Sequence, residues 1–205
     1  MYILVFDIIR WKEGEKVIEQ DYKIFFDMPT LKTDRLILRK ITKKDVYDIF
    51  EYASRQEVSK YLLWSPHNTI DYTKAYLANL TSKYKKGKLY DFGIEYNGKM
   101  IGTVGFTTLD AQNNVGEIGY VLSDKYWGMG LGLEAAEKIL SFGFCELRLN
   151  RIEVRYMKEN IKSENLAKKL GMKQEGLLRQ AVFCKGEYKD ICIASILRDE
   201  YLKKN

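Results

Sequence analysis

Three glycines at alternate positions, Gly128, Gly130 and Gly132, separate a segment with strand character from a segment with helical character. Residues 115–123 before them are rich in β-branched and apolar side chains, and residues 131–144 after them repeat apolar side chains at helical spacing. Glycine adopts positive φ without steric cost, and the unpaired N–H groups of a helix start attract anions. The turn therefore predicts either a phosphate-binding loop or a tight turn without a ligand. It lacks the GxxxxGK[ST] spacing of a P-loop.

The composition predicts one globular domain, because the chain has 205 residues, of which 46% are hydrophobic and 30% charged. No apolar run approaches the roughly 20 residues that cross a bilayer, so a membrane is not an expected partner. Three cysteines without CxxC spacing and one histidine, His67, argue against a zinc site or a disulfide framework. We therefore expect no metal and a reducing, cytoplasmic location. The net charge of +6 suits a phosphorylated cofactor or a nucleic acid, but acidic and basic residues are interspersed, which argues against nucleic acid.

The order of predicted elements indicates the fold class. Residues 1–30 read as an N-terminal extension that forms a β-hairpin, and residues 31–205 as the main domain. The main domain is predicted to run strand, two helices, three strands, helix, strand, helix and two strands. Antiparallel strands followed by a β-α-β-α-β order predict an α+β fold with a mixed sheet.

Local signals fix several boundaries of these elements. Thr42 and Asp45 have the spacing of a capping box, which predicts a helix start. The pair Asn97-Gly98 predicts a type I′ hairpin. A second helix is predicted over 69–86, and the face expected to be buried holds Tyr76, Leu80 and Tyr84. The last two strands, 173–179 and 189–198, are predicted to flank a loop that holds Gly186.

Four ordered segments of the chain resemble the GNAT N-acetyltransferases, and within them the RimJ/RimL-like branch. The glycine turn is similar to motif A, [Q/R]xxGx[G/A], with Gly130 and Gly132 at its small positions. Segments 31–46, 149–172 and 176–197 resemble the start of that branch, its NRIE…N..S…KLGF stretch and its ending. The resemblance covers about residues 31–198. It implies an acyl-CoA N-acyltransferase fold, with a mixed, mostly antiparallel sheet, a splayed central strand pair and flanking helices.

The resemblance also implies that acetyl-CoA is the cosubstrate. Strand backbone groups would pair with the pantetheine arm, and backbone N–H groups of the glycine turn would bind the pyrophosphate. Trp127 stands where motif A usually has Gln or Arg, and Lys168 or Lys169 either approaches the adenosine phosphates or lies on a solvated helix face. The residues implied in cofactor binding are Tyr120, Val121, Leu122, Trp127, Gly128, Met129, Gly130, Leu131, Gly132 and Asn160.

The chemistry of acetyl transfer to an amine requires particular side chains. A lysine amine has a pKa near 10.4, yet only a neutral amine attacks, so a base is useful. Glu117 is the predicted base, and its alternative role is a salt bridge at the edge of the site. Ser163 is predicted to protonate the leaving thiolate or to hydrogen-bond its sulfur, and its alternative role is a helix N-cap. Ala167 stands where many family members have a tyrosine acid. A backbone N–H near Val121 or Leu122 would stabilise the oxyanion.

The expected acceptor is a primary amine. A protein N-terminus, as on a ribosomal protein, is the first choice, and a small amine such as a polyamine or an antibiotic is the alternative. A non-catalytic acyl-CoA-binding module is a further possibility, and homodimer formation is left open. Four aromatic residues either line an acceptor pocket or belong to the core: Tyr61, Trp64, Tyr72 and Tyr76. His67 is expected to be an ordinary loop residue.

Overall fold

The structure is a computed structural model that describes Phe25 and residues 27–85 and 90–204. The hairpin predicted within residues 1–30 falls largely outside the described residues. None of the described helices is long and apolar enough to cross a membrane.

Strands and helices alternate along the chain much as predicted. The strands are β1 (Leu31–Lys32), β2 (Ile37–Arg39), β3 (Tyr90–Tyr96), β4 (Lys99–Asp110), β5 (Val115–Leu122), β6 (Arg151–Met157), β7 (Lys173–Cys184) and β8 (Glu187–Leu197). The helices are α1 (Val46–Ala53), α2 (Gln56–Ser59), α3 (Ile70–Lys85), α4 (Leu131–Ser141), α5 (Ile161–Lys169) and α6 (Arg198–Lys204). In the described part of the chain the strands form one sheet in the order β1-β2-β3-β4-β5-β6-β8-β7. Neighbouring strands are antiparallel except β5 and β6, which confirms the predicted mixed sheet.

The two faces of the sheet are covered by different helices. On one face, Phe92 of β3 packs edge to face against Phe142, which follows α4, with ring centroids 5.9 Å apart. On the other face, a Cβ added to Gly93 would lie 3.2 Å from the side chain of Ile41, just before α1. Because side chains alternate along a strand, neighbouring residues of β3, β4 and β5 face opposite sides. This alternation decides which site residues share a cleft.

Two local predictions are confirmed by backbone geometry. The capping box is present: the Asp45 carboxylate accepts the Thr42 backbone N–H at 2.7 Å and initiates a 3-10 turn that leads into α1. Both residues of the Asn97-Gly98 turn have positive φ, 49° and 76°, as a type I′ turn requires.

Two other predictions need correction. The buried face of α3 is centred on Thr73, Leu77, Leu80 and Tyr84, whereas Tyr76 is 42% exposed, because it lies at the edge of that stripe. The loop predicted around Gly186 is a two-residue turn, since β7 and β8 extend as far as Cys184 and Glu187. Lys185 and Gly186 both have positive φ, 53° and 89°, which lets so tight a turn close a hairpin.

Candidate functional site

Strands β5 and β6 separate at the centre of the sheet. They pair in parallel from Val115 with Arg151 to Ile118 with Val154, and no further pairing between them is formed in the described residues. Beyond that point β5 remains paired with β4, and β6 with β8. The two strands therefore diverge toward their carboxyl ends and leave a V-shaped gap, which is the splayed central pair that the family resemblance implies.

Backbone groups of β5 line one edge of this gap. The Ser123 N–H donates to the Ile101 carbonyl at 2.8 Å. Along an antiparallel pair, the backbone N–H and C=O groups of successive residues point to alternate sides of the strand. The backbone groups of Val121 therefore point toward β4, and those of Tyr120 and Leu122 point toward the gap. Consistently, a Cβ added to Gly102 of β4 would lie 2.1 Å from the Val121 carbonyl oxygen. Of the three strand residues predicted to bind the pantetheine arm, Tyr120 and Leu122 thus direct their backbone groups into the gap.

The glycine turn follows directly at the end of β5. Gly128 and Gly130 have φ of 79° and 78°, and Gly130 is the left-handed N-cap of α4. The Glu134 N–H is the first to bond back to Gly130, so the N–H groups of the three preceding residues lack helical partners. A Cβ added to Gly128 would meet nothing within 4 Å. Of the other predicted residues, Met129 is 44% exposed on the turn and Leu131 is buried beneath it.

Trp127 connects the turn to the gap. Its indole Nε1–H donates to the Leu122 carbonyl at 2.9 Å, so this carbonyl at the edge of the gap already has a partner. The Lys162 Nζ lies 3.3 Å from the centroid of the Trp127 ring, which places the start of α5 beside the turn. Lys162 was not predicted. By contrast, Lys168 forms an ion pair with Glu164 along the exposed surface of α5, which agrees with its alternative role on a solvated helix face.

Arg35 and Glu134 hold the turn from the other side. The Arg35 guanidinium donates to the Glu134 carboxylate at 2.6 Å and to the Met129 carbonyl at 3.0 Å. The Arg35 backbone N–H and the Thr33 hydroxyl bind the other Glu134 oxygen, at 2.9 and 2.5 Å. Burial raises the pKa of Glu134, but these hydrogen bonds outweigh it, and the net pKa is lowered. Sequence reasoning missed this contact because its partners are 99 residues apart.

The start of α5 corrects one alternative and brings two hydroxyl groups close together. Asn160 is the N-cap, since its Oδ1 accepts the Ser163 N–H at 3.2 Å, so the alternative role of Ser163 as N-cap is wrong. The buried Tyr120 hydroxyl forms no hydrogen bond of standard geometry with the described residues. Burial raises the Tyr120 pKa to about 12, and the nearby Ser163 side chain opposes part of that rise. Ser163 and Tyr120 are thus neighbours, although 43 positions apart in the printed sequence.

Glu117 lies where β5 and β6 are still paired, one residue before the last pair. Its carboxylate accepts the Thr107 hydroxyl at 2.9 Å and pairs with Arg155 Nε at 3.2 Å, and its side chain is 21% exposed. The alternative role in a salt bridge is therefore present. Since side chains alternate, Glu117 and Gly119 share the face opposite α4. The carboxylate is held at the narrow end of the gap and remains reachable from that face.

Three of the four predicted aromatic residues surround the single histidine. The His67 ring lies 5.5 Å from Trp64, 4.8 Å from Tyr72 and 5.5 Å from Tyr76, measured between ring centroids. His67 is 6% exposed, its Nδ1 is 2.9 Å from the Thr73 hydroxyl, and burial lowers its pKa. His67 therefore lies in a loop, as expected, but its ring is buried among aromatic side chains. Tyr61 packs elsewhere, against the small cluster of Met157, Cys184 and Ile191.

Comparison with known proteins agrees with this geometry. Residues 35–173 match the family model described as "Acetyltransferase (GNAT) domain". The chain is 36% identical to the "Uncharacterized N-acetyltransferase p20" of Bacillus licheniformis over 85% of this chain and 99% of that protein. It is 25% identical to the "Putative ribosomal N-acetyltransferase YdaF" of Bacillus subtilis over 82% of this chain and 94% of the relative.

A solved structure supports the same assignment. The acetyltransferase (GNAT family) from Bacillus anthracis superposes with a TM-score of 0.75 at 28% identity, covering 84% of this chain and all of that one. Ribosomal-protein N-acetyltransferases are among the relatives, as the RimJ/RimL resemblance implies. The chain therefore belongs to the GNAT family and is an N-acetyltransferase.

Proposed function

We propose that this protein transfers an acetyl group from acetyl-CoA to a primary amine by direct attack. The observation that carries the proposal is the juxtaposition of the β5–β6 gap with the glycine turn. The gap offers the backbone groups of Tyr120 and the N–H of Leu122, and the turn offers the free N–H groups at the start of α4. An arm that contains amides and ends in a diphosphate matches these two features in sequence, because amides pair with strand edges and phosphates bind helix starts.

The residues around the gap fit that ligand. The N–H groups at positions 131–133 would bind the pyrophosphate, and the left-handed Gly130 lets the chain enter the helix at that point. Asn160 uses Oδ1 as the N-cap of α5, which leaves its Nδ2 amide for a carbonyl of the arm. Lys162, held over Trp127, adds positive charge beside the turn. We assign the cofactor contacts to these groups in addition to the predicted turn residues.

The chemical step follows from the positions of Glu117 and Ser163. Glu117, directly or through a water, takes the proton that the amine loses as its nitrogen bonds to the acetyl carbon. The Leu122 N–H points into the gap and stabilises the negative charge that develops on the carbonyl oxygen. As the carbon–sulfur bond breaks, Ser163, backed by the Tyr120 hydroxyl, hydrogen-bonds or protonates the leaving sulfur. The products are an N-acetylated amine and free CoA.

Two acceptor classes have support from relatives. YdaF is named a putative ribosomal N-acetyltransferase, which supports a protein N-terminus, the first choice from the sequence. A spermidine N(1)-acetyltransferase of Escherichia coli is 24% identical over 82% of this chain, which supports a small polyamine. We further propose a cytoplasmic location, supported by three cysteines that are all free thiols.

Calorimetry with acetyl-CoA, followed by a thiol-release assay against a panel of amines, tests the proposal. We expect heat of binding and amine-dependent release of CoA. Binding without turnover of any amine would favour a non-catalytic acyl-CoA-binding module, and absence of binding would overturn the proposal.

A matched pair of variants locates the binding site. Gly128 and Gly186 both have positive φ, and a Cβ at either would meet nothing within 4 Å. Gly128→Trp should place an indole in the turn and weaken acetyl-CoA binding at least tenfold, whereas Gly186→Trp, with similar backbone strain on the β7–β8 turn, should leave the affinity unchanged. Equal affinities of the two variants for acetyl-CoA would contradict the proposal that the glycine turn binds the pyrophosphate.

A further inference from the structure

Asp91 is the second residue of β3 and lies in a row that leads to the gap. It pairs with Gly105 of β4, which in turn pairs with Gly119 of β5. Directly paired residues share a face, so these three positions lie on the face that also carries Glu117. Gly119 is the first residue of β5 beyond the last β5–β6 pair. Gly105 places no side chain between Asp91 and Gly119, and at Gly119 the Thr107 methyl group borders the start of the gap, 2.7 Å from where a Cβ would stand.

The Asp91 carboxylate has no partner in the described part of the chain, where it forms neither a hydrogen bond nor an ion pair. It lies against Gly105: a Cβ added there would be 2.9 Å from Oδ1 and 2.1 Å from the Tyr90 carbonyl oxygen, so glycine is required at this position. Tyr84 fixes the backbone, since its hydroxyl donates to the Asp91 carbonyl at 2.6 Å. Among the described residues, the backbone therefore holds this carboxylate in place, and no ion pair does so.

Aromatic side chains from two helices surround this carboxylate. Tyr52 of α1 and Tyr76 and Tyr84 of α3 all lie within range of its charge, and Lys83 is a nearby cation. Protein encloses Asp91 on almost every side, which raises its pKa to about 6, yet the residue retains some exposure to solvent. The Asp91 side chain is thus largely enclosed by protein but is not sealed from solvent.

A cation is the ligand that such a site needs. An unpaired carboxylate in an enclosed position is costly, and an ammonium group would offset that cost. Tyrosine rings also attract cations through their faces. Adjacent strands lie about 4.8 Å apart, so the Asp91 and Gly119 backbones are separated by about 10 Å, and the carboxylate against Gly105 shortens that span. A short methylene chain with an amine at each end fits it.

We infer that Asp91 is a specificity-determining residue that binds a second, non-reacting ammonium group of the acceptor, and that the preferred acceptor is a small aliphatic diamine or polyamine. The inference rests on the proposed function, because it places the other amine at the gap beside Glu117. The enclosure of Asp91 by protein favours a thin aliphatic chain over a folded protein as the group that reaches it. A peptide N-terminus is the competing acceptor in the test.

The test compares 1,4-diaminobutane with butylamine, which differ by one amine, and with a peptide that has a free N-terminus. For the unmodified protein we expect kcat/KM to be highest for the diamine. Asp91→Asn should lower kcat/KM for the diamine about tenfold or more, mainly through KM, and should change it less than about twofold for butylamine. Asp71→Asn removes the same charge from an exposed position on α3 and should change neither value.

A binding measurement separates this role from a structural one. We expect calorimetry of the CoA-saturated protein to show tighter binding of 1,4-diaminobutane than of butylamine, and Asp91→Asn to remove the difference while retaining its affinity for acetyl-CoA. Equal losses for both amines, or a preference for the peptide, would overturn the inference and leave the proposed function standing. A protein that neither binds acetyl-CoA nor acetylates any amine would overturn both.

Discussion

At the residue scale, Glu117 combines a structural contact with a chemical role. Its pairing with Arg155 and its hydrogen bond from Thr107 fix the position of the carboxylate. An ionised carboxylate accepts a proton, and one held at the narrow end of the gap is positioned to accept it from an attacking amine. The salt bridge and the role of base are therefore compatible alternatives.

Substitution of Glu117 tests the role of base. Glu117→Gln should lower kcat by about 10²–10⁴ and change the pH–rate profile, while the affinity for acetyl-CoA stays nearly unchanged. Glu153 lies opposite Glu117 on β6 and also pairs with Arg155, so Glu153→Gln is the matched control. If both variants lose the same activity with unaltered pH profiles, Glu117 has only a structural role.

Asp91 gives the stability of the protein a defined pH dependence. Burial raises its pKa from 3.8 to about 6, so the folded state binds this proton more tightly than the unfolded state does. Its contribution to stability is therefore complete below about pH 4 and is lost as the pH rises through 6. Relative to Asp91→Asn, the free energy of unfolding of the unmodified protein should fall between these pH values. Denaturant titrations at several pH values measure this difference. If the free energies of unfolding of the two proteins change in parallel from pH 4 to pH 6, the raised pKa of Asp91 is contradicted.

At the element scale, the position of the glycine turn depends on a strand turn far away in the chain. Arg35 and Thr33, between β1 and β2, bind Glu134 in the first turn of α4, and Arg35 also binds the Met129 carbonyl. Such a two-pronged guanidinium contact has a directionality that a lysine cannot reproduce. The first strands of the domain thus position the N–H groups that are proposed to bind phosphate.

Arg35→Lys tests this arrangement. Loss of the directional hydrogen bonds should weaken acetyl-CoA binding by about tenfold, since hydrogen bonds to charged groups contribute about 1.5–3 kcal/mol. Arg179→Ala, at an exposed position on β7, is the control and should bind normally. Titration calorimetry of both variants provides the comparison, and wild-type affinity in Arg35→Lys would show that the turn holds its shape without the contact.

Elements with short-range signals could be predicted from the sequence, and contacts between distant elements could not. The capping box at Thr42 and the Asn97-Gly98 turn depend on adjacent residues, so both were predicted correctly. The splayed strand pair followed from the family resemblance. Asp91 gave only a weak signal, as one of two acidic residues in β3, because its lack of a partner among the described residues depends on three other elements.

At the scale of the whole molecule, the proposed ligand would join two parts of the sheet. Strands β1–β5 lie on one side of the gap and β6–β8 on the other, and α5 leads from β6 to the turn beside α4. A ligand bound along β5, the glycine turn and α5 contacts both sides. Binding should therefore stabilise the folded protein as a unit.

Thermal unfolding measures this effect. A ligand at 100 times its Kd adds about 2.7 kcal/mol to the free energy of unfolding, which for a domain of this size raises Tm by about 5–10 °C. Acetyl-CoA should produce such a shift in the unmodified protein and in Gly186→Trp, and a much smaller one in Gly128→Trp. A shift of the same size in all three would place the ligand elsewhere.

Four residue pairs between β5 and β6 connect the two halves of the sheet. A small change in the angle between β5 and β6 would alter both the width of the gap, where the donor is proposed to bind, and the access of the acceptor to it. The buried side chains of Ile118 and Val154, which form the last of these pairs, should therefore influence how donor and acceptor are oriented. Substituting Ile118 or Val154 by other apolar residues should therefore change the rate of turnover without changing a residue proposed to contact the substrate.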